Sequence, residues 1–479
     1  MPDTNNNTSV PDHHLLERFT AIVGKAYALN DPQDIAPYIN EPLKLWPGQT
    51  SLVLKPATVA EISAIMKLAS ETGTAIIPQG GNTGLVGGQM PDQSGCQMVL
   101  SLSRLNRIRE IDVESGTVTV EAGVILQNLQ EAADKENLLF PLSLGSQGSA
   151  QIGGNLATNA GGTGVLAYGN TRDLCLGIEV VLPSGEVFED LRKLKKDNTG
   201  YDLKNLFIGS EGTLGVITAA VLKLVPKPQG KEIGWVGLHD VRDALALFRL
   251  ASRRAGNNLT GFELMIDQSL GFVLKHIAGA VIPLSDHYPW YVLIEISSGR
   301  SAEDARELME EILTEGFEAG LVGDAVIAAN LGQAADFWRL RETMSEAQTP
   351  EGASIKHDIS VPIATIPDFI DQAWQAVLTV APNARLSCFG HMGDGNLHYN
   401  VSQPVGDEPA DFYKIYGQIN RAIYDVVRDF NGSISAEHGI GRLKCEELIA
   451  TTPPTALDLM RRMKNLLDPQ NIMNPGKLL

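Results

Sequence analysis

The densest chemistry in this chain lies in GHMGDGNLHYN, Gly390 to Asn400. Gly393, Asp394, Gly395 and Asn396 are turn formers, so the segment predicts a hairpin in which His391 ends one strand and His398 opens the next. Two imidazoles meeting across that turn suit a divalent ion of borderline-soft preference such as Zn²⁺. Asn400, two residues past His398, projects from the same strand face. A third ligand is on offer in SISAEHGIGRLK, Ser433 to Lys444, where Glu437 and His438 are neighbours in a glycine-bounded stretch. A glutamate completes a two-histidine, one-carboxylate set that leaves positions open for substrate, as catalytic sites require. The rival reading is a pair of hydrogen-bonded structural histidines and a surface glutamate, and residue types alone leave it open.

Three glycine-rich segments form the second group. PQGGNTGLVGG, Pro78 to Gly88, follows the short apolar run AIIP. Glycines there let successive N–H groups point into one concavity that binds phosphate, with the Thr83 hydroxyl as a further donor; a plain glycine-rich turn is the alternative. The spacing fits neither GxGxxG nor GxxxxGK[ST], which argues against a nicotinamide Rossmann site and a P-loop NTPase. QIGGNLATNAGGTGVLAYGNTRD, Gln151 to Asp173, is dominated by small residues. A backbone that bare can lie flat against a large planar or phosphate-bearing ligand, with Asn155, Thr158 and Asn159 as polar contacts. GSEGTLGVIT, Gly209 to Thr218, again runs into a strand.

The elements that must hold these groups are legible in part. Thr58 and Glu61 form a capping box ahead of the stripe Ile62, Ile65, Met66 and Ala69, and Gly73 stops that helix. TVTVEAGV (117–124), GIEVVLPSGEVFED (177–190, with a hairpin turn at Pro183, Ser184 and Gly185) and GVITAAVLKLVP (215–226) predict strands. KPQGK (227–231) predicts a linker. Beyond it the pattern is α+β, with helices at 239–255 and 301–315 (N-cap Ser301) and a strand at 290–296; a third block from 411 is mostly helical. The predicted domains are 15–228, 229–410 and 411–479, the last docking on the first.

A net charge of −19 argues against nucleic acid or anionic lipid as main partner. No apolar run is long enough for a membrane span. Four cysteines without a CxxC pair indicate a reducing compartment. The polar N-terminus MPDTNNNTSVPDHH has no leader character, so cytoplasm is the expected location.

In order and spacing, PxGGxTGLxGG, IGGxxATNAGG…YGxxRD and GSEGTLG[IV][IV]T resemble the FAD-binding domain of the vanillyl-alcohol oxidase / p-cresol methylhydroxylase superfamily. The resemblance implies a PCMH-type FAD-binding domain with a separate α+β cap domain. It implies cofactor contacts at Pro78, Gly80, Gly81, Asn82, Thr83, Gly84, Gly87 and Gly88, at Gly153, Gly154, Asn155, Thr158, Asn159, Gly161, Gly162 and Gly169, and at Glu211, Gly212, Val216 and Ile217. Members with a flavin linked covalently through the first loop carry His after the paired glycines; Asn82 stands there, so non-covalent FAD is expected.

HxGDGNxHxN, SxEHGxG and the terminal DPxxxxNPGK resemble the D-lactate / glycolate / D-2-hydroxyglutarate dehydrogenase branch. That resemblance implies metal ligation by His391, His398 and Glu437, a base at His438, a substrate-carboxylate contact at Asn400, and Asn474 packed toward the flavin. Arg341 in FWRLRETMSEA, Ser345 four residues on along an expected helix, and Lys356 in SIKHDISVP match the group of that branch that binds a dicarboxylate. The expected reaction is metal-assisted oxidation of D-2-hydroxyglutarate, with D-malate as a possible second substrate: His438 removes the hydroxyl proton and hydride passes to flavin N5. D-lactate or glycolate oxidation is the alternative. Electron-transfer flavoprotein or a quinone is the implied acceptor, zinc or manganese the metal, and a homodimer is an expectation without a residue-level argument.

Overall fold

The computed structural model describes residues 10–41 and 44–479, divided into two compact units. The first holds residues up to 161, 169–226 and 437–479; the second holds 162–168 and 227–436. The first nine residues of the polar N-terminal stretch lie outside the described residues.

In the first unit a four-stranded sheet runs in the order Ala28–Leu29, Val53–Leu54, Met98–Ser101, Ile76–Gln79. The pairs flanking Met98–Ser101 are parallel, and parallel neighbours need a crossover. Helix Val59–Thr72 lies between the Val53–Leu54 and Ile76–Gln79 strands and supplies one. Thr58 Oγ1 accepts the Glu61 N–H at 3.2 Å, Glu61 accepts the Ala57 N–H at 2.6 Å, and Gly73 ends the helix at φ 66. Ile62, Ile65, Met66 and Ala69 are fully buried, so the apolar stripe fixes how this helix sits on its sheet. The Ile76–Gln79 strand then delivers the chain straight into the first glycine loop. A second, antiparallel sheet runs Ile108–Asp112, Thr117–Glu121, Val216–Lys223, Cys175–Val181, Val187–Asp190. Its hairpin turns at Gly185 (φ 82), whose N–H bonds Leu182 O at 2.8 Å.

The C-terminal stretch of this unit is tied in by backbone. Ile76 N–H donates to Ile472 O at 2.8 Å and Asn474 N–H to Ile76 O at 2.9 Å, while the Asp468 carboxylate receives the N–H groups of Ile472 and Met473 at 3.0 and 2.8 Å.

The second unit is built on an eight-stranded sheet whose strand pairs are antiparallel. Its path is Asp324–Ile327, Gly230–Leu238, Trp290–Ser298, Leu259–Ile266, Arg385–His391, Asn396–Ser402 and Ser354–Ile355, with Asp358–Ser360 also on Asn396–Ser402. Helices Val241–Ala255 and Ala302–Glu318 start at the side-chain caps Asp240 and Ser301. The expected linker ends early, because Gly230 already opens a strand, where a Cβ would collide with Ser301 O.

Two boundaries differ from the sequence reading. Helix Tyr416–Asp429 packs against Ile366–Val380 within the second unit, so that unit runs to residue 436 rather than 410. The cause is the helix's own apolar face: Ile419, Ile423 and Val427 are fully buried. The expected helix carrying Arg341 and Ser345 is broken, ending at Glu342 and restarting at Met344. Among the described residues no helix is long and apolar enough to cross a membrane.

Candidate active site

A cavity of about 390 Å³ opens within the first unit. Pro78, Gly80–Gly84 and Gly88 line it, as do Gly153–Asn155, Thr158, Gly161, Glu211, Gly212, Val216 and Ile217, all sequence-predicted, together with Glu437 and His438. The glycines are sterically required: a Cβ on Gly81 would collide with Ser149 O, and one on Gly153 would come within 2.7 Å of Ala122 Cβ. Gln151 and Asn155 line the cavity and each carries a buried, unpartnered amide oxygen (Oε1 and Oδ1), acceptors for N–H or O–H groups of a ligand. Small residues, backbone N–H groups and vacant acceptors fit a dinucleotide. Leu144, Gly145 and Ser146 also line the cavity and went unread in the sequence, the glycine and serine of LSLGSQGS being their only signal; Gln151, which opens the second glycine segment, lines it too.

Several expected contacts stand elsewhere. Gly87 (φ 70) lies outside the lining, facing the Trp46 ring, which a Cβ would approach to 2.9 Å. Asn159 is also outside; its Oδ1 accepts the Arg172 N–H at 2.9 Å. Gly169 (φ 76) leaves room for the Asp173 side chain, and Gly162 belongs to the second unit. Asn474 does not line the cavity either: its Nδ2 donates to Gly88 O at 2.9 Å and Glu211 O at 2.8 Å, bracing the wall from behind. Asn82, at φ 55, lines the cavity while its amide donates to Pro37 O and Asn40 O at 3.0 and 2.8 Å. Glu211 lines the cavity, yet its carboxylate accepts from the N–H groups of Ile440 and Gly441.

In the second unit five side chains close a circuit. Glu263, on Leu259–Ile266, accepts from His391 Nδ1 at 2.7 Å and from Arg341 Nε at 2.8 Å. The guanidinium stacks on Phe389, 4.9 Å from the ring centre; Phe389 packs on His398 at 5.1 Å; and the two imidazoles lie 5.8 Å apart. Burial pushes the Glu263 carboxyl up, but His391 and Arg341 outweigh it and hold it at about 2. The ionised carboxylate accepts the hydrogen bond of Nδ1–H, which fixes the tautomer and orientation of the His391 ring. Arg341 Nη2 is buried with no hydrogen-bond partner. Sequence reasoning missed Glu263; a lone glutamate in an apolar strand, LTGFELMI, was its signal.

Lys356 stands opposite Asn400, continuing the Ile355–Val401 register. Its ammonium donates to Ser345 Oγ at 3.2 Å, which joins two expected substrate residues despite the helix break. Protein closely rings this solvent-reached side chain and lowers its pKa by desolvation. Asn400 accepts the His357 N–H at 3.1 Å and donates to Gln348 Oε1 at 3.1 Å, leaving one amide N–H. Asp358 pairs with His398, and the Ala436 N–H donates to Asp358 O at 3.3 Å.

A glycine-lined dinucleotide cavity in the first unit, and a sheet rich in histidine and cationic side chains in the second, are the parts an FAD-dependent oxidoreductase needs. Residues 50–190 match the family described as "FAD binding domain" and residues 227–478 that described as "FAD linked oxidases, C-terminal domain". The chain belongs to the FAD-linked oxidase family and is an FAD-dependent dehydrogenase. It is 37% identical over 461 residues to "D-2-hydroxyglutarate dehydrogenase, mitochondrial" of Arabidopsis thaliana, covering 96% of this chain and 80% of the plant protein. It is 38% identical over 451 residues to the D-2-hydroxyglutarate dehydrogenase of Xanthomonas citri pv. viticola, covering 94% and 93%. The solved structure of p-cresol methylhydroxylase with substrate bound shares the fold at a TM-score of 0.76 and 16% identity, covering 97% of this chain and 96% of that one. The plant relative's name says mitochondrial, which does not accord with the expected cytoplasm.

Proposed function

We propose that this enzyme oxidises D-2-hydroxyglutarate, and D-malate less well, to the 2-oxo acid, with FAD held non-covalently and a divalent ion, zinc, held by His391, His398 and Glu437. The observation that carries the reading is the Glu263–His391 pair, a carboxylate orienting an imidazole as metal sites require. Glu437 has support from chain connectivity. Ala436 is bonded to Asp358, which faces His398, and Glu437 is one residue further, about 3.8 Å along the chain.

FAD supplies the electrophilic N5 that accepts the Cα hydrogen with its electron pair, and the ion supplies Lewis acidity toward the substrate hydroxyl. The remaining work belongs to side chains. His438 lines the flavin cavity and takes the hydroxyl proton. The vacant Nη2 of Arg341 and the spare N–H of Asn400 receive the carboxylate next to the reacting carbon. Lys356 and Ser345 receive the distal one, which in a desolvated site needs a cation. Electrons leave to an electron-transfer flavoprotein or a quinone, and the enzyme works as a homodimer in a reducing compartment, where its four cysteines form no disulfide.

The test is anaerobic bleaching of the bound flavin by D-2-hydroxyglutarate, D-malate, D-lactate and glycolate, before and after a chelator. The dicarboxylates bleach fastest, and chelation stops bleaching without releasing FAD. Fastest bleaching by D-lactate, or no effect of chelation, defeats the proposal.

A further inference from the structure

Residue 211 lies in the left-handed region at φ 52, between Gly209 (φ 81) and Gly212 (φ 71). Glycine would take that backbone freely, whereas a glutamate takes it at a steric cost. What the position gains is the carboxylate. It is buried, and it accepts the Ile440 N–H at 2.8 Å and the Gly441 N–H at 2.7 Å. Gly439 makes this possible, since a Cβ there would lie 2.8 Å from Oε1. These N–H groups begin two residues after His438. Glu211 itself lines the cavity, and its carbonyl receives the same Asn474 amide that holds Gly88 O. Burial raises the Glu211 carboxyl, and the two N–H groups and Lys444 oppose that.

We infer that Glu211 is a positioning residue that couples FAD loading to the placement of His438, its carboxylate fixing the backbone at Ile440 and Gly441 while the residue itself lines the cofactor cavity. The catalytic half of this inference rests on the reading of His438 as base; the coupling itself does not. Hydrogen exchange of the full chain, FAD-free and FAD-loaded, reads the coupling directly. In the wild type, FAD slows exchange at the Ile440 and Gly441 amides. In Glu211→Gln, whose amide can accept from only one of the two N–H groups, that protection falls by on the order of tenfold, the worth of a charge-assisted bond. The variant still binds FAD, and kcat falls by about tenfold while KM for the 2-hydroxy acid changes little, a split that loss of general packing would not give. Protection in the wild type that is indifferent to FAD overturns the coupling, even if the variant fails to fold. Equal protection in variant and wild type overturns it too. Unchanged kcat in His438→Ala overturns the base assignment alone.

Discussion

Glu263 and His391 face each other in the antiparallel register of Leu259–Ile266 and Arg385–His391, and the carboxylate holds the imidazole at Nδ1 across 2.7 Å. The same carboxylate holds Arg341, so one side chain orients both a proposed ligand and a proposed substrate contact.

Glu263→Gln therefore weakens both. Loss of such a supporting carboxylate costs about 10–100-fold in metal affinity. Zinc content after dialysis against a competing chelator measures it, with FAD content as the control. A variant that keeps zinc as tightly as the wild type removes the supporting role.

Lys356→Ala separates substrates by charge. Losing a charged hydrogen bond to the distal carboxylate costs about 1.5–3 kcal/mol, roughly 10–100-fold in kcat/KM for D-2-hydroxyglutarate. D-lactate, with no distal carboxylate, should change little. Steady-state kinetics on both acids decide it, and equal losses refute the assignment.

Glu351 predicts an acid limb in stability. Burial raises its carboxyl, but bonds from Lys275, Arg385 and His276 outweigh that and hold it at about 2, below its ordinary 4.5. A depressed carboxylate contributes stability that is complete above about pH 4.5 and is lost as pH falls toward 2. Glu351→Gln should be less stable than the wild type at neutral pH, and the gap should close on acidification. Urea midpoints between about pH 5 and pH 2 test this; a gap independent of pH contradicts it.

Gly81→Ala should abolish FAD loading, because its Cβ has no room beside Ser149 O and the obstacle is backbone. The flavin-to-protein absorbance ratio reads this out. An alanine variant with full flavin would mean the loop can move aside.

Much of the cofactor cavity was legible because close backbone approach leaves a mark in sequence. Gly81 and Gly153 must be glycine where another chain segment passes, and such glycines cluster into motifs. His391 and His398 were legible because turn chemistry fixes their separation. Glu263 was not, since its partner is 128 residues away and only the sheet register brings them together. Glu211 was assigned to the cofactor because it stands in a glycine motif, and nothing local shows that its carboxylate serves a segment 229 residues later. The break at Thr343 escaped the 3.6-residue pattern, which carries smoothly across it. The boundary at 436 was misplaced because an amphipathic helix reads alike whichever unit buries its face.

No lysine or arginine lines the described flavin cavity. FAD carries a pyrophosphate, and the peptide dipoles of glycine loops such as these can meet its negative charge without a mobile side-chain cation. Such a grip has little counterion atmosphere to surrender, and flavin affinity should vary only weakly with ionic strength. Retention of the pyrophosphate is then chiefly a property of the path the chain follows rather than of any one charged side chain.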